Sequence, residues 1–422
     1  MTKSALGIGR VAVVTLLVAA CGGGSLLPTT SVPGTTTTFA PGPTIATTTP
    51  TTAVVTIPRP TGPLVVWVSD TTLAEAITGR GNAYTSATGI PVEVRVFTPP
   101  GGDAGPANLL EALLDDGLDG PADIYVGPHT WVLALAEAGL AEPMPLADGL
   151  ADTIVASVSP RGHPLAAPLV VDGIVQIRNR ALLPEAPEAV ESISCPDADD
   201  CLLLPADGDA DLHYPFLVAM GGYLFGPDPE VGWNTDDLGL GTDEAVAGVS
   251  IFADLLADGT ITAPADAAAA IADFAAGNAA LLWVRASGLA AVQAGGMDIA
   301  VESLPTIGGS AAVTSFRTLA AFVNPFGSAK SEAVDFVTDW LGDVNGSGAI
   351  ALATGMAPVW TEAASSSATV VLESVASGHP LPIVDDIDRI WFELSDAFRR
   401  IHADTSVEDA LFGAIGDIRP PE

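Results

Sequence analysis

The sequence predicts an α/β protein of two lobes. Two observations carry this. From Pro63 onward, short apolar runs of strand character alternate with amphipathic helical stretches, which implies parallel strands joined by crossover helices. The globular part, about 360 residues long, also exceeds what one hydrophobic core usually holds.

The elements follow in order. Gly62–Val68 reads as a buried strand, and after Ser69 and Asp70 a helix is expected over Thr72–Thr88. A strand at Pro91–Phe97, a helix at Ala107–Leu114, a strand at Asp123–Val126, a helix at Trp131–Ala138 and a strand at Leu169–Arg178 complete the first part. The later part is richer in helix. Thr242–Leu256, Pro264–Ala276, Ser328–Leu341, Val344–Ala353 and Val384–Ile401 all place apolar residues three and four apart.

The segment before Pro63 has a different composition. Lys3 and Arg10 precede an apolar run, Val11–Ala20, of about ten residues, which fits an export signal and is too short to span a bilayer. Val18-Ala19-Ala20-Cys21 resembles the bacterial lipobox, in which the cysteine is acylated and becomes the mature N-terminus. Residues 22–62 are nearly all Gly, Ser, Thr, Pro, Val and Ala. Such a stretch has too few large apolar groups to build a core, and extended it would reach on the order of 100 Å. The expected organisation is a signal peptide (1–20), a lipidated cysteine with a tether (21–62), and then two lobes. The protein is expected outside the cell membrane, anchored on its outer face.

Charge narrows the partners. Removing residues 1–20 takes away two positive charges and no negative ones, so the net charge moves from −36 to −38 and Lys330 is the one remaining lysine. Nucleic acid is excluded as a partner, since phosphate contacts need Lys and Arg. Cys195 and Cys201 bracket a five-residue loop and read as a disulfide in an exported protein. A zinc pair would need two more ligands, and only His213 lies near in sequence.

Several segments in order resemble the family 1 extracellular solute-binding proteins, the maltose-binding type that serves ABC transporters. These are Leu64–Val68 with Thr88–Val94, Pro121–Tyr125 with Ala138–Leu140, Pro168–Ile174 running to Asn179–Pro184, Gly221–Phe225, Phe274–Leu281 and Leu304–Thr306. The resemblance implies a type II periplasmic-binding fold of two hinge-connected, discontinuous lobes, 63–171 plus 305–361 and 172–304 plus 362–422. Chain crossings would lie near Val170–Gly173, Glu302–Pro305 and Val359–Ala363. It further implies a monomer that closes around a small molecule, most readily a saccharide, and passes it to a membrane permease without a cofactor.

Sugar sites combine carboxylates, amides and arginines with aromatic rings. By the resemblance, Trp391 holds the place of a stacking aromatic, Asp172 an acidic position on the first crossing, and Asp209, Asp211 and Tyr214 a contact region before Gly221-Gly222-Tyr223. The rival for Trp391 is a core role. Asp70 follows the first strand, where it could face the cleft or cap the next helix. Trp131, Arg285, Arg317 and Trp360 are alternative contacts, and the two arginines could instead pair with buried carboxylates. Asp207, Asp209 and Asp211 are spaced like a calcium loop, but Leu212 stands where the loop needs Gly and Val218 where it needs Glu. Thr130-Trp131, Arg285–Ser287 and Ser395 depart from the maltose-site pattern, so the sugar is left open.

An enzyme is not expected. Gly346-Ser347-Gly348 lacks the nucleophile-elbow spacing, and no Walker or dinucleotide fingerprint occurs. A cationic ligand such as a polyamine, or an exported lipoprotein without a transport role, are the other function classes that this composition allows.

Overall fold

The computed structural model describes residues 62–98, 104–115, 122–228 and 232–419. The signal segment, Cys21 and the tether up to residue 61 lie outside the described residues. Strands are β1 (Leu64–Val68), β2 (Val92–Val96), β3 (Ile124–Pro128), β4 (Ala167–Asn179), β5 (Asp200–Leu203), β6 (Phe225–Asp228), β7 (Gly232–Leu238), β8 (Ile261–Thr262), β9 (Ala279–Arg285), β10 (Ile299–Glu302), β11 (Ser315–Val323), β12 (Ala357–Pro358) and β13 (His379–Pro380). Helices are α1 (Thr71–Thr88), α2 (Pro106–Leu114), α3 (Val132–Glu137), α4 (Asp152–Ser157), α5 (Ala210–Val218), α6 (Asp243–Ala257), α7 (Ala267–Ala275), α8 (Leu289–Gln293), α9 (Lys330–Phe336), α10 (Val344–Thr354), α11 (Ser366–Ser377), α12 (Ile387–His402) and α13 (Val407–Ile418).

Among the described residues one sheet runs in the order β2-β1-β3-β11-β4-β9-β5-β8, with β10 and β12 on β4 and β13 on β11. β1 is parallel to β2 and β3, and β9 and β5 are parallel as expected for crossover helices. Between these two parallel sets lie antiparallel partners, with β11 against both β3 and β4 and β4 against β9. The mixed centre was not legible in the alternating pattern.

β4 makes the two halves continuous. Its residues Ala167–Gly173 pair with β11, and Ile174–Arg178 pair with β9, so the strand changes partners between Gly173 and Ile174. All thirteen of its residues are buried. Its polar side chains therefore need internal partners. Gln176 accepts from the Trp283 indole at 3.2 Å, and Arg178 donates to Glu302 at 2.6 Å and to the carbonyls of Leu183 and Pro184 at 2.7 Å.

After β10 the chain runs back toward the first half. Thr306 still exchanges backbone bonds with Glu188 and Val190, and Ile307 is buried in the core shared by α5, α6 and α12. β10 already pairs with Gln176–Asn179 at the far end of β4, and β11 joins the first part of β4 from Phe316. β12 then pairs with Val170 and Val171, and α11 packs over β4 through Val371 and Val375.

Local chemistry explains the well-read elements. Asp70 caps α1 by accepting from the Leu73 amide at 2.8 Å, and Gly89, at φ 75°, ends the helix in the left-handed region that favours glycine. Ser347 is fully buried, donates to the Leu169 carbonyl at 2.6 Å and accepts from the Val359 amide at 2.9 Å. It ties α10 to β4 and is no nucleophile. Cys195 and Cys201 form a disulfide, with Cα atoms 5.4 Å apart.

Gly173 sits under α11 at the change of partners. A Cβ there would lie 2.8 Å from Val375 Cγ2 and 3.3 Å from Val371 Cγ1. Gly173→Val is expected to cost about 1–3 kcal/mol through overpacking, read as a lower urea midpoint.

Candidate functional site

A charged cluster forms where β11 meets the second half. Asp211, on the first turn of α5, is buried with 2% of its side chain exposed. Its Oδ2 lies 2.5 Å from an Arg285 terminal nitrogen and accepts from Arg317 Nε at 3.0 Å, while its Oδ1 accepts from Ser315 Oγ at 2.8 Å. Burial alone would raise its pKa, but Arg285 and Arg317, with the hydrogen bonds from Ser315 and Arg317, hold it below the ordinary carboxylate range. Asp209, the N-cap of α5, takes both its oxygens to the other Arg285 terminal nitrogen, at 2.6 and 2.7 Å. Burial would lower the Arg285 pKa, yet Asp211 and Asp209 raise it.

Arg317 is placed differently. Its Nε is held by Asp211, its terminal nitrogens make no hydrogen bond among the described residues, and 32% of its side chain is exposed. It lines a cavity of about 800 Å³ together with Thr130, Trp131, Glu111 and Asp115 from the first half and Asp388 from α12. The cavity thus draws on both halves. Volume and mixed lining suit a small polar molecule.

The remaining sequence candidates divide. Asp172 faces Arg317 across the β4–β11 ladder, but its carboxylate accepts from the Ser287 amide at 2.9 Å and the Ser287 hydroxyl at 2.8 Å, and burial raises its pKa. Trp131 reaches the cavity, though it is 3% exposed and stacked on Phe322 at 6.3 Å over Gly127. Trp391 is buried against Tyr214, ring centres 5.7 Å apart. The Tyr214 hydroxyl bonds His379 Nδ1 at 2.8 Å, and burial raises its pKa. Asp70 is occupied as the α1 cap, and Trp360 donates to the Gly342 carbonyl at 2.7 Å in a separate crevice. Asp207 has no metal cluster around it among the described residues.

His213 is buried in the second-half core. Its Nδ1 donates to the Asp209 carbonyl at 2.8 Å, and its Nε2 accepts from His402 Nε2 at 3.0 Å. Burial lowers both, to about 3 for His213 and about 4 for His402. His129 closes the same region of the first half, donating from Nε2 to the Leu381 carbonyl at 2.9 Å and accepting from the Thr318 amide at 3.1 Å. It too is lowered, to about 4.

Residues 80–372 match the sequence profile described as bacterial extracellular solute-binding protein. The chain belongs to that family. It is a solute-binding protein of the ABC-transporter type and not an enzyme. Among solved structures it resembles a cyclo/maltodextrin-binding protein complexed with maltotetraose, at 19% identity and TM-score 0.74, over 86% of this chain and 98% of that one. That likeness establishes the two-lobed α/β fold for this solute-binding protein.

Sequence reasoning missed Ser287, Ser315, Glu111 and Asp388. Ser287 and Ser315 gain importance only from buried carboxylates far away in sequence, and Glu111 and Asp388 look like any solvated helix charge.

Asp211→Asn leaves two arginines short of a shared anion. The expected loss is about 3 kcal/mol, the low end for a broken buried pair because both arginines stay partly solvated. In the wild type the Asp211 contribution is present above the ordinary carboxylate pKa of about 3.9 and disappears as pH falls below it.

The histidines act over a higher window. They protonate near 6.5 when unfolded but stay neutral in the fold down to about 3 to 4. The unfolded state therefore binds more protons between these values, and the urea midpoint should drop as pH falls from 6.5 to 4. His213→Phe with His402→Phe should flatten that drop, leaving the share due to His129 and to His379, whose pKa burial also lowers.

Proposed function

We propose that this protein is the membrane-tethered binding component of an ABC importer. It captures a mono- or oligosaccharide by closing its two lobes on the hinge strands, and delivers it to a permease. The observation that carries this reading is the cavity of about 800 Å³ shared by the halves, where Arg317 offers free N–H donors, Thr130 a hydroxyl, Glu111, Asp115 and Asp388 acceptors, and Trp131 an aromatic edge. Hydroxyl-rich ligands need donors and acceptors together with apolar cover. A fold neighbour that holds maltotetraose supports the same class, although the residues here differ from a maltose site.

Closure follows from the strands. A ligand touching both halves stabilises the arrangement in which both reach it, and the population shifts accordingly. Lipidation at Cys21, followed by some forty tether residues, would keep the receptor close to its transporter at high effective concentration. The lobes are assigned as 63–171 plus 305–361 and 172–304 plus 362–422, acting as a monomer.

A second reading has a specific basis. Glu111, Asp115 and Asp388 have no ion-pair partner among the described residues, and one arginine faces them. Such a lining also attracts an ammonium group.

Thermal unfolding of residues 63–422 with saccharides, polyamines and amino acids separates the readings. A ligand at about 100 times its Kd adds about 2.7 kcal/mol, a shift of several degrees. Shifts with saccharides alone are the expected outcome. Shifts with amines alone would favour the second reading, and shifts with amino acids alone would contradict both.

A further inference from the structure

We infer that the ligand is a saccharide carrying an ammonium group, an amino sugar or an oligosaccharide that contains one. This rests on the saccharide reading above and concerns the same cavity, where Glu111, Asp115 and Asp388 share the lining with Arg317.

The balance of charge around the cavity is the first observation. In the buried cluster two carboxylates, Asp209 and Asp211, meet two guanidiniums, Arg285 and Arg317, and their charges cancel. Arg317 therefore brings N–H donors to the lining without an unbalanced positive charge. Glu111, Asp115 and Asp388 are exposed and make no salt bridge or side-chain hydrogen bond among the described residues. Residues 99–121 contain no Lys, Arg or His, and Lys330, the one lysine after Cys21, pairs with Glu142 at 3.1 Å. Three negative charges thus remain on the cavity wall.

The second observation is local. Glu111 and Asp115 lie four residues apart, so they project from one face of α2, and like charges at that spacing destabilise a helix. They also stand at the C-terminus of α2, in its last turn and at its C-cap, where the macrodipole favours cations and no basic residue is present. The helix gains from neither acid. Conflicts of this kind between local preference and fold fall mainly at functional sites, and a cation in the cavity would relieve both. Asp388, on the first turn of α12, adds an acceptor from the second half.

The chemistry of the wall selects the kind of cation. Among the described residues no group of acids converges as a metal ion requires. An ammonium has three N–H donors and accepts carboxylates spread around it. A plain amine has no oxygen for the free terminal N–H groups of Arg317, whereas sugar hydroxyls supply acceptors there. A neutral sugar would leave the three charges unbalanced. An amino sugar answers both sets of groups.

Calorimetric titration of the protein at about pH 6, where amines are charged, tests this with matched pairs: glucosamine with glucose, galactosamine with galactose, and glucosamine dimers and trimers with cellobiose and cellotriose. In at least one pair the amino sugar should bind about fivefold tighter, the scale of an exposed charge pair. That margin should shrink in about 1 M salt. Asp388→Asn, and Glu111→Gln together with Asp115→Asn, change exposed positions and should each bring the ratio toward one. N-acetylglucosamine, whose nitrogen carries no charge, should show no such margin over glucose. Equal or weaker binding of every amino sugar overturns the proposal, and the saccharide reading stands where the neutral sugars bind. A preference that persists in the carboxylate variants also overturns it. Binding of spermidine with no sugar of either kind removes the saccharide reading and this proposal together.

Discussion

One buried carboxylate organises the middle of this molecule. Asp211 has almost no solvent of its own, so its charge is tolerable only because Arg285, Arg317 and Ser315 converge on it. The cluster draws on three elements: α5 provides the acid, β9 one arginine, and β11 the other arginine and the serine. Satisfying one charge therefore fixes a helix of the second half against a strand that also pairs with the first half. It also sets which part of each arginine is left over. Arg285 is consumed by two carboxylates, whereas Arg317 keeps its terminal N–H groups for the cavity.

The sheet transmits this arrangement. Because β4 pairs with β11 along its first half and β9 along its second, the two lobes share one hydrogen-bonded surface without a flexible linker. The change of partners at Gly173 and Ile174 lies beneath α11, where the absence of a side chain lets Val371 and Val375 approach. Asp172 adds a further tie close by, joining β4 to the loop after β9 through Ser287. The middle of this solute-binding protein is thus a hydrogen-bonded floor common to both halves.

Much of the framework was legible from the sequence because it is locally encoded. The apolar run of β4, the possible cap at Asp70 and the three- and four-residue spacing of α6, α10 and α12 need no distant partner to be recognised. β11 was missed although Ser315–Val323 is almost wholly buried, since its placement between β3 and β4 depends on pairing across more than a hundred residues. The site was legible as residue types and not as roles. Arg285 and Arg317 were read as contacts or as partners of buried acids, and both pair with the buried Asp211, Arg317 through its Nε alone. Trp391 and Tyr214 resemble a sugar platform in sequence, yet the structure packs them against each other. Trp131 and Asp172 were read as candidates too, but their exposure and partners depend on Phe322 and Ser287, which no spacing predicts.

The central claim is that Asp211 and Arg317 act as one coupled unit joining the second half to the crossing strand. A double-mutant cycle of Asp211→Asn and Arg317→Gln, measured by urea unfolding without ligand, tests it most directly. The account predicts a coupling energy of about 1–3 kcal/mol, as found for residues in direct contact within one network. Effects that add to within about 0.5 kcal/mol would contradict it, because the two side chains would then contribute independently and the cluster would not be what holds the floor of the cleft together.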